Sequence, residues 1–485
     1  MTILILRIIE KVLIIYFAGY FIIDIALYVY SIFIFLKKKK GRNETLDYSN
    51  HFVSIIVPTY NEDVSIVHCT HMLMELDYPN YEVIIVNDGS NDQTLETLYN
   101  NFDFHEIENE IRPEILTNPI KKILRSKTRN LTLIDKENGG KADSINAGIN
   151  FSNGNYICTI DADSILDTKA LKEVVRPFIL NPKTIVSGGQ LAASNDLIIE
   201  HNQVVNSKTP TNIWVLWQII EYIKSFMISR LGLSKINALL IMSGAFSLYK
   251  KDDLLQTGGF LTRINTHPYI AETMGPGKQT VCEDMEIVVR LYQYYRDKKM
   301  KPKTVFLPEP VCWTEVPDNG NNLFKQRSRW QQGLAETLKI HRKMIFEPGY
   351  GMTGLIGLPY YFLFELFSPL IKVFSLIFIA VSVFYGTINF QFVAMLIIGV
   401  MLVTAIIMSS ITAIIENWSQ KQNSVNRDAL RYKSFKDWLW LIVAGIIAEF
   451  TYSFFKIAAQ ISGLIDFIKG KSDWKKFERR GLKQT

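Results

Sequence analysis

At 485 residues, 48% of them hydrophobic, the chain is too long for one ordinary domain and must hide apolar surface in more than one place. Its four cysteines, Cys69, Cys158, Cys282 and Cys312, stand singly, which excludes a disulfide framework and a CxxC-type zinc site and reads as buried thiols in a reducing compartment. The net charge of +6 comes with basic clusters beside apolar runs, such as Lys37 to Lys40 with Arg42; no nucleic-acid motif is near, and membrane flanks fit them better than a polyanion surface.

The mean hydropathy of +0.10 hides a segregation: a polar middle lies between stretches almost without charge. The run from Val12 to Leu36 is long enough to cross a bilayer of ~30 Å and stops at the lysines. It has no short apolar core with a small-residue cleavage site, so it predicts a retained helix with its N-terminus outside. From Val53 to about Lys339, short β-branched runs alternate with amphipathic stretches, the pattern of a parallel α/β sheet. Candidate strands are Val53 to Val57, Glu82 to Val86, Asn130 to Ile134 and Tyr156 to Ile160. Ligands of such sheets sit at the carboxyl ends of strands. Asn101 to Asn130 is polar, mixed in charge and without a place in that rhythm, an insertion of unassigned role.

Beyond Tyr350 three apolar runs follow, Ile371 to Tyr385, Phe392 to Ile415 and Trp438 to Phe455, with Trp418 and Trp438 as interfacial anchors and a charged loop, Glu416 to Asp437, facing the cytosol. Three crossings would strand the basic tail, Lys469 to Arg480, on the wrong side. Either Leu355 to Leu370 also inserts, or one run lies along the membrane surface.

The chemistry-bearing residues stand at the strand ends. Val57-Pro58-Thr59-Tyr60-Asn61-Glu62 alone is equally a strand-terminating proline turn, but Asn87-Asp88-Gly89-Ser90 repeats a polar strand end one βα unit later. An aromatic and a carboxylate on adjacent strand ends can stack on and hydrogen-bond a nucleotide base. Asn138-Gly139-Gly140-Lys141 leads into a helix start; the glycines admit a phosphate and the lysine favours negative charge, with a simple helix cap as the plainer alternative. Asp161-Ala162-Asp163 places two carboxylates beyond a strand, able to share a hard divalent cation, although such triplets also occur by chance. Cys282-Glu283-Asp284 opens a helix, where acidic residues either cap or, in Asp284, act as a general base. Gln326-Arg327-Ser328-Arg329-Trp330 combines a cation for a leaving diphosphate with a flat ring for a pyranose; its alternative is a basic helix on the membrane surface.

Taken in order, Asp88, Asp161/Asp163, Glu283-Asp284 and Gln326/Arg329/Trp330 match the D, DxD, ED and QxxRW pattern, and the chain resembles the processive family 2 glycosyltransferases, which include cellulose, hyaluronan and poly-N-acetylglucosamine synthases. The resemblance covers roughly Val53 to Gly333. It implies an α/β fold, a GT-A-type Rossmann-like cytosolic catalytic domain combined with transmembrane and interfacial α-helices. The implied layout is an N-terminal transmembrane helix and basic flank (1–42), the catalytic domain (43–345), interfacial and transmembrane helices (346–470) and a basic cytosolic tail (471–485).

The same resemblance implies the roles. Thr59, Tyr60, Glu62 and Asp88 lie near the uridine and Lys141 at the diphosphate, with Asp161 and Asp163 around Mg2+ or Mn2+. Asp284, beside Glu283, is the base. Gln326, Arg329 and Trp330 close over the UDP and the acceptor sugar, and Ser243 and Gly244 line the acceptor site. The implied enzyme is an inverting, processive hexosyltransferase of the plasma membrane. It takes sugar from a UDP-sugar donor, UDP-N-acetylglucosamine being favoured, and extends a β-linked exopolysaccharide. The alternatives are transfer of one sugar to a membrane lipid or glycan acceptor, and cellulose- or hyaluronan-type synthesis. Implied partners are the donor, a nascent polysaccharide or lipid acceptor, membrane lipid and accessory export subunits, with no nucleic acid. The chain has no long soluble extension matching the cyclic-di-GMP domain of bacterial cellulose synthases, which disfavours cellulose. Trp214 to Tyr222, continuing toward Arg230, is either an interface helix beneath the membrane or a helix of the domain core. Asp24 and Glu449, inside apolar runs, face a channel or pair within the bundle.

Overall fold

The computed structural model describes residues 2–37, 46–108, 113–423 and 429–471; the predicted flank Lys38 to Lys40 with Arg42, and the tail beyond Lys471, lie outside them. Helix α1 (Thr2–Lys37) starts earlier than the Val12 run suggested. The α/β part then proceeds as β1 (Val53–Thr59), α2 (Ile66–Met74), β2 (Tyr81–Asn87), α3 (Thr94–Asn101), β3 (Phe104–Glu106), β4 (Ile120–Ser126), β5 (Leu131–Lys136) and α4 (Lys141–Phe151). It continues through β6 (Tyr156–Ile160), β7 (Ser164–Leu166), α5 (Ala170–Leu180), β8 (Thr184–Ala193) and a separate hairpin, β9 (Leu197–Glu200) with β10 (Gln203–Ser207). One long helix follows, made of α6 (Ile213–Glu221), a π-helical stretch Tyr222–Ser229 and α7 (Arg230–Lys235). Next come β11 (Phe246–Lys250), α8 (Lys251–Gln256), α9 (Pro268–Thr273), α10 (Glu283–Asp297), β12 (Lys303–Thr314) and α11 (Gly320–Ile340).

The main sheet has ten strands in the order β3-β4-β5-β2-β1-β6-β11-β8-β12-β7. Its centre, β5-β2-β1-β6, is parallel. Those strands read as unbroken apolar runs because both faces are covered. Alternate residues divide between two cores: Ile56, Ile84 and Ile134 pack with Ile145 of α4 and Val288 of α10. Ile55, Val57, Val83 and Leu133 pack with Leu73 of α2 and Val174 of α5. The predicted insertion at 101–130 is a sheet edge: β3 and β4 pair antiparallel with each other and β4 with β5, a geometry the βα rhythm does not announce.

After the α/β part, α12 (Leu358–Tyr360) lies in a helical stretch Thr353–Leu366 that meets α13 (Ser368–Phe384) at 45°. Helix α14 (Phe390–Asn423) follows, then α15 (Phe435–Phe450) and α16 (Tyr452–Ile468), which meet at 47°. Among the described residues two helices, Ile3–Ile34 and Phe390–Trp418, are long and apolar enough to cross a membrane, or up to four spans if each bent pair counts as one. Their surfaces expose large apolar side chains such as Ile15 and Ile414, as a lipid-facing helix does.

The predicted run Trp438 to Phe455 is therefore not one straight crossing. Thr451 leaves helical geometry at φ −127°, ψ −59°, and α16 turns onto α11. Gly463 makes that packing tight: a Cβ there would lie 2.1 Å from the Ser328 carbonyl oxygen. Leu355 to Leu370 is likewise interrupted, at Phe367 before the Pro369 turn. The loop expected from Glu416 begins later, since Glu416 is still in α14, buried against Arg431 at 3.2 Å.

The helix from Ile213 bridges the two parts. Trp217 Nε1–H donates to Ala444 of α15 at 2.9 Å, and Ser31 of α1 donates to the Ile228 carbonyl at 2.7 Å. The helix thus ties the α/β part to α1 and α15. Asp24 pairs inside the bundle, accepting from the Tyr360 hydroxyl at 3.0 Å.

Candidate active site

The parallel strands deliver their carboxyl ends side by side, Thr59 of β1 opposite Asn87 of β2 and Asn87 opposite Asp135 of β5. The loops beyond β1 and β2 are stitched together: Asn61 N–H donates to Ser90 Oγ at 2.9 Å, and Asn91 N–H to Asn61 Oδ1 at 2.8 Å. Asn61 adopts φ 54°, a left-handed turn asparagine tolerates. Tyr60 and Glu62 stand on this wall, partly exposed. Thr59 does not present its side chain; the strand's alternation turns the hydroxyl inward, to the Val57 carbonyl, and leaves only 1% of the residue exposed.

Asp88 heads the loop after β2, directly beyond Asn87. Its carboxylate accepts from Lys136 Nζ at 2.8 Å, Gly139 N–H at 2.9 Å and Gly140 N–H at 2.8 Å. Lys136, fully buried at the end of β5, pairs as well with Asp143 at 2.6 Å. Both glycine N–H groups are thus aimed at Asp88, which anchors the Asn138 to Lys141 turn. Lys136 and Asp143 were not singled out from sequence, though a polar residue ending a third parallel strand was the available signal.

Lys141, the first residue of α4, gathers the next set. Its ammonium lies 2.7 Å from Asp161 and 3.1 Å from Glu283, and it donates to the Gly244 carbonyl at 3.2 Å. Burial lowers its affinity for the proton, but Asp161 and Glu283 outweigh that and hold its pKa raised. Asp163, two residues past Asp161, is buried. Among the described residues no cluster of three His, Cys, Asp or Glu side chains is arranged to hold a metal.

Asp284 accepts the Gly244 N–H at 2.9 Å. Burial, then the neighbouring Glu283 carboxylate, push its pKa up to about 6, against the pull of Lys141, Arg230 and that N–H. Such a group is poised to accept a proton near neutral pH. Gly244 keeps this corner close: a Cβ would lie 3.1 Å from Lys141 Nζ and 3.3 Å from Asp284 Oδ2, so both side chains would have to give way. Gly244→Ala is expected to displace both and cut kcat by roughly 10- to 100-fold with little change in melting temperature, as read by steady-state product release and thermal unfolding. Ser243 beside it is buried, its carbonyl accepting from Ser247.

The QxxRW residues open toward α6 and α16. Trp330 is half-buried, its ring 5.8 Å from Phe226 and 4.1 Å beneath the guanidinium of Arg327. Arg327 binds Glu221 at 2.6 Å, and Glu221 also accepts from Tyr452 at 2.7 Å and from Lys456 at 3.1 Å. Burial would raise the Glu221 carboxyl, but Arg327 and Lys456 hold it down at about 2. This ionic clamp, absent from the motif, fixes the tryptophan to α6 and α16. Gln326 is turned to Arg327, and the Arg329 carbonyl receives the Cys282 thiol at 3.9 Å.

A mixed sheet with acidic strand ends, a half-buried carboxylate pair at the start of α10 and an aromatic platform fits an α/β transferase acting on a nucleotide-activated group. The family profile described as Glycosyl transferase family 2 matches residues 54–254, and that described as Glycosyl transferase family group 2 matches residues 156–408, just over half of the chain. The chain belongs to this group and is a family 2 glycosyltransferase with a GT-A-type sheet. It is similar to the poly-beta-1,6-N-acetyl-D-glucosamine synthase of Staphylococcus epidermidis strain RP62A, 27% identical over 311 residues, 63% of this chain and 61% of that protein. The synthase of the same description from Staphylococcus aureus strain COL is 26% identical over 292 residues, 59% of this chain and 55% of the other. The similarity thus spans about three-fifths of the curated relatives' length. A mannosyltransferase from Pyrobaculum calidifontis, solved with GDP-Man and Mn2+, shares the fold at a TM-score of 0.56 and 17% identity, over 96% of this chain and 99% of that one.

Proposed function

We propose that this chain is an inverting, processive membrane glycosyltransferase that moves N-acetylglucosamine from UDP-N-acetylglucosamine onto a growing β-linked polysaccharide and passes it outward. The observation that carries the reading is Asp284, a half-buried carboxyl with a raised pKa, held by Gly244 beside the Lys141–Asp161 pair. Asp284 takes the proton of the acceptor hydroxyl, whose oxygen attacks the anomeric carbon. The bond to UDP breaks on the opposite face, and UDP departs with the electron pair. Attack from the face opposite the departing UDP inverts the anomeric carbon and gives the β-linkage without an enzyme nucleophile. Tyr60 and Glu62 face the uridine, Lys141 and Arg329 the diphosphate, Gln326 and Trp330 the closing side, and Ser243 and Gly244 the acceptor.

The donor set suits a divalent ion completed by substrate, since Mg2+ sites commonly use one or two carboxylates together with phosphate oxygens. Asp161 and Asp163 would hold Mg2+ or Mn2+, which supplies charge stabilisation to the leaving diphosphate. Chelation with EDTA is expected to stop UDP release, and Mn2+ or Mg2+ to restore it. The melting temperature should not move, because no described residues form a structural metal cage.

Residues 43–345 serve as the cytosolic catalytic domain, 1–42 and 346–470 as the plasma-membrane part, and 471–485 as a cytosolic tail. The lipid-facing α1 and α14 support that arrangement. Relatives described as poly-beta-1,6-N-acetyl-D-glucosamine synthases favour this donor and a polysaccharide acceptor; export subunits remain candidate partners. Purified protein given radiolabelled UDP-N-acetylglucosamine and Mg2+ should yield high-mass polymer. Single-sugar lipid products would replace processive synthesis with one-step transfer, and turnover only with another UDP-sugar would overturn the donor.

A further inference from the structure

Beside Trp330 the π-widened helix carries a column of side chains that no motif contains. Tyr222 and Phe226 stack at 4.4 Å, and the guanidinium carbon of Arg230 lies 4.1 Å over the Phe226 ring. Phe226 leans on Trp330 at 5.8 Å, so Arg230 tops an aromatic wall that reaches the QxxRW helix.

Arg230 is only 7% exposed, and among the described residues its guanidinium has the Phe226 ring contact but no hydrogen bond or ion pair. The other buried arginines are all met by carboxylates: Arg290 by Glu286, Arg327 by Glu221 and Arg431 by Glu416. An arginine carries five donors and no acceptor. Although the residue is largely covered, its nitrogens are not sealed from solvent, so the donors stay open to an acceptor atom that arrives with a ligand. Asp284, and Tyr361 at the start of the C-terminal helices, lie near enough to act on its charge.

We propose that Arg230 is an acceptor-binding residue whose guanidinium donates hydrogen bonds to the ring-substituent oxygens of the terminal sugar of a neutral glycan. The assignment rests on the glycosyltransferase reading above. Trp330 and Phe226 supply flat apolar faces suited to a pyranose, and Arg230 supplies the donors that orient its hydroxyl or amide oxygens toward Asp284. A neutral glycan fits better than a phosphate-bearing acceptor, because Asp284 and Glu283 already crowd the pocket with negative charge.

The test compares full-length wild type, Arg230→Met and Arg230→Lys in lipid nanodiscs, varying UDP-N-acetylglucosamine and a short β-linked N-acetylglucosamine oligosaccharide independently. For Arg230→Met the acceptor KM is expected to rise at least tenfold with the donor KM within twofold of wild type, and Arg230→Lys to recover part of that loss. An acceptor KM within twofold of wild type, or equal rises in both KM values, overturns the proposal. So does a loss confined to a phospholipid-linked sugar acceptor, which would make the group a phosphate reader. If Arg230→Met does not fold, Arg230→Lys decides alone: an acceptor KM raised threefold or more supports the assignment, and an unchanged one ends it. A wild type that transfers no sugar from any UDP-sugar fails the underlying reading, an outcome distinct from a variant that binds its acceptor normally.

Discussion

Asp284→Asn is expected to lower sugar transfer by about 10³-fold while the chain stays folded and keeps its affinity for the donor. The amide has the same shape and can still accept the Gly244 N–H, so the α10 start and the Gly244 turn persist. What it cannot do is take a proton. Initial rates of UDP release measure the loss; a variant retaining more than a tenth of wild-type turnover would remove Asp284 from the base role. The same assignment sets the pH profile of the wild type. The base works only when ionised, and its pKa is pushed up to about 6, first by burial and then by Glu283. Activity must therefore fall as pH drops through about 6. Glu283→Gln removes the repelling neighbour and should move that acid limb to lower pH.

Lys136→Met is expected to destabilise the fold by about 3–5 kcal/mol, the cost of breaking a buried ion pair from one side. Lys136 is fully buried and joins Asp88 at 2.8 Å to Asp143 at 2.6 Å. Without the ammonium two carboxyls would face each other in the core, and burial already raises the pKa of Asp143. The folded-state pKa of Asp143, already raised, would then lie further above its unfolded one. The resulting penalty is greatest when Asp143 is ionised and shrinks as pH falls toward that raised value. Thermal unfolding of wild type and variant should show a gap in melting temperature at pH 7.5 that narrows by pH 5. Adding Asp88→Asn and Asp143→Asn should close much of it; a gap independent of pH would mean the loss is packing alone.

Much of the site was legible because its residues follow strands that are themselves easy to read. Unbroken runs such as Val83 to Val86 can only be two-faced central strands, so Asp88, Lys141, Asp161 and Asp163 fall at known ends. Asp284 and Trp330 were legible from motif order instead, since nothing local distinguishes a base from a helix cap. The direction of individual side chains was hidden. Thr59 points inward by the parity of β1, and Asp88 turns to a lysine 48 residues away. The Glu221 clamp gathers α6, α11 and α16 across a separation of more than 230 residues, which no spacing rule reaches. The edge hairpin at 101–130 and the break at Thr451 escaped for a related reason. Short polar strands and a single non-helical residue leave the hydrophobic period almost unchanged.

The seam between α11 and α16 has a consequence for how such enzymes can be recombined. Where Gly463 lets one helix rest on the Ser328 carbonyl of the other, residues 320–340 and 452–468 form a single inheritance unit despite the chain between them. A chimera that takes its soluble half from one relative and its membrane half from another would divide that unit. It should misplace the tryptophan platform unless both helices come from the same parent.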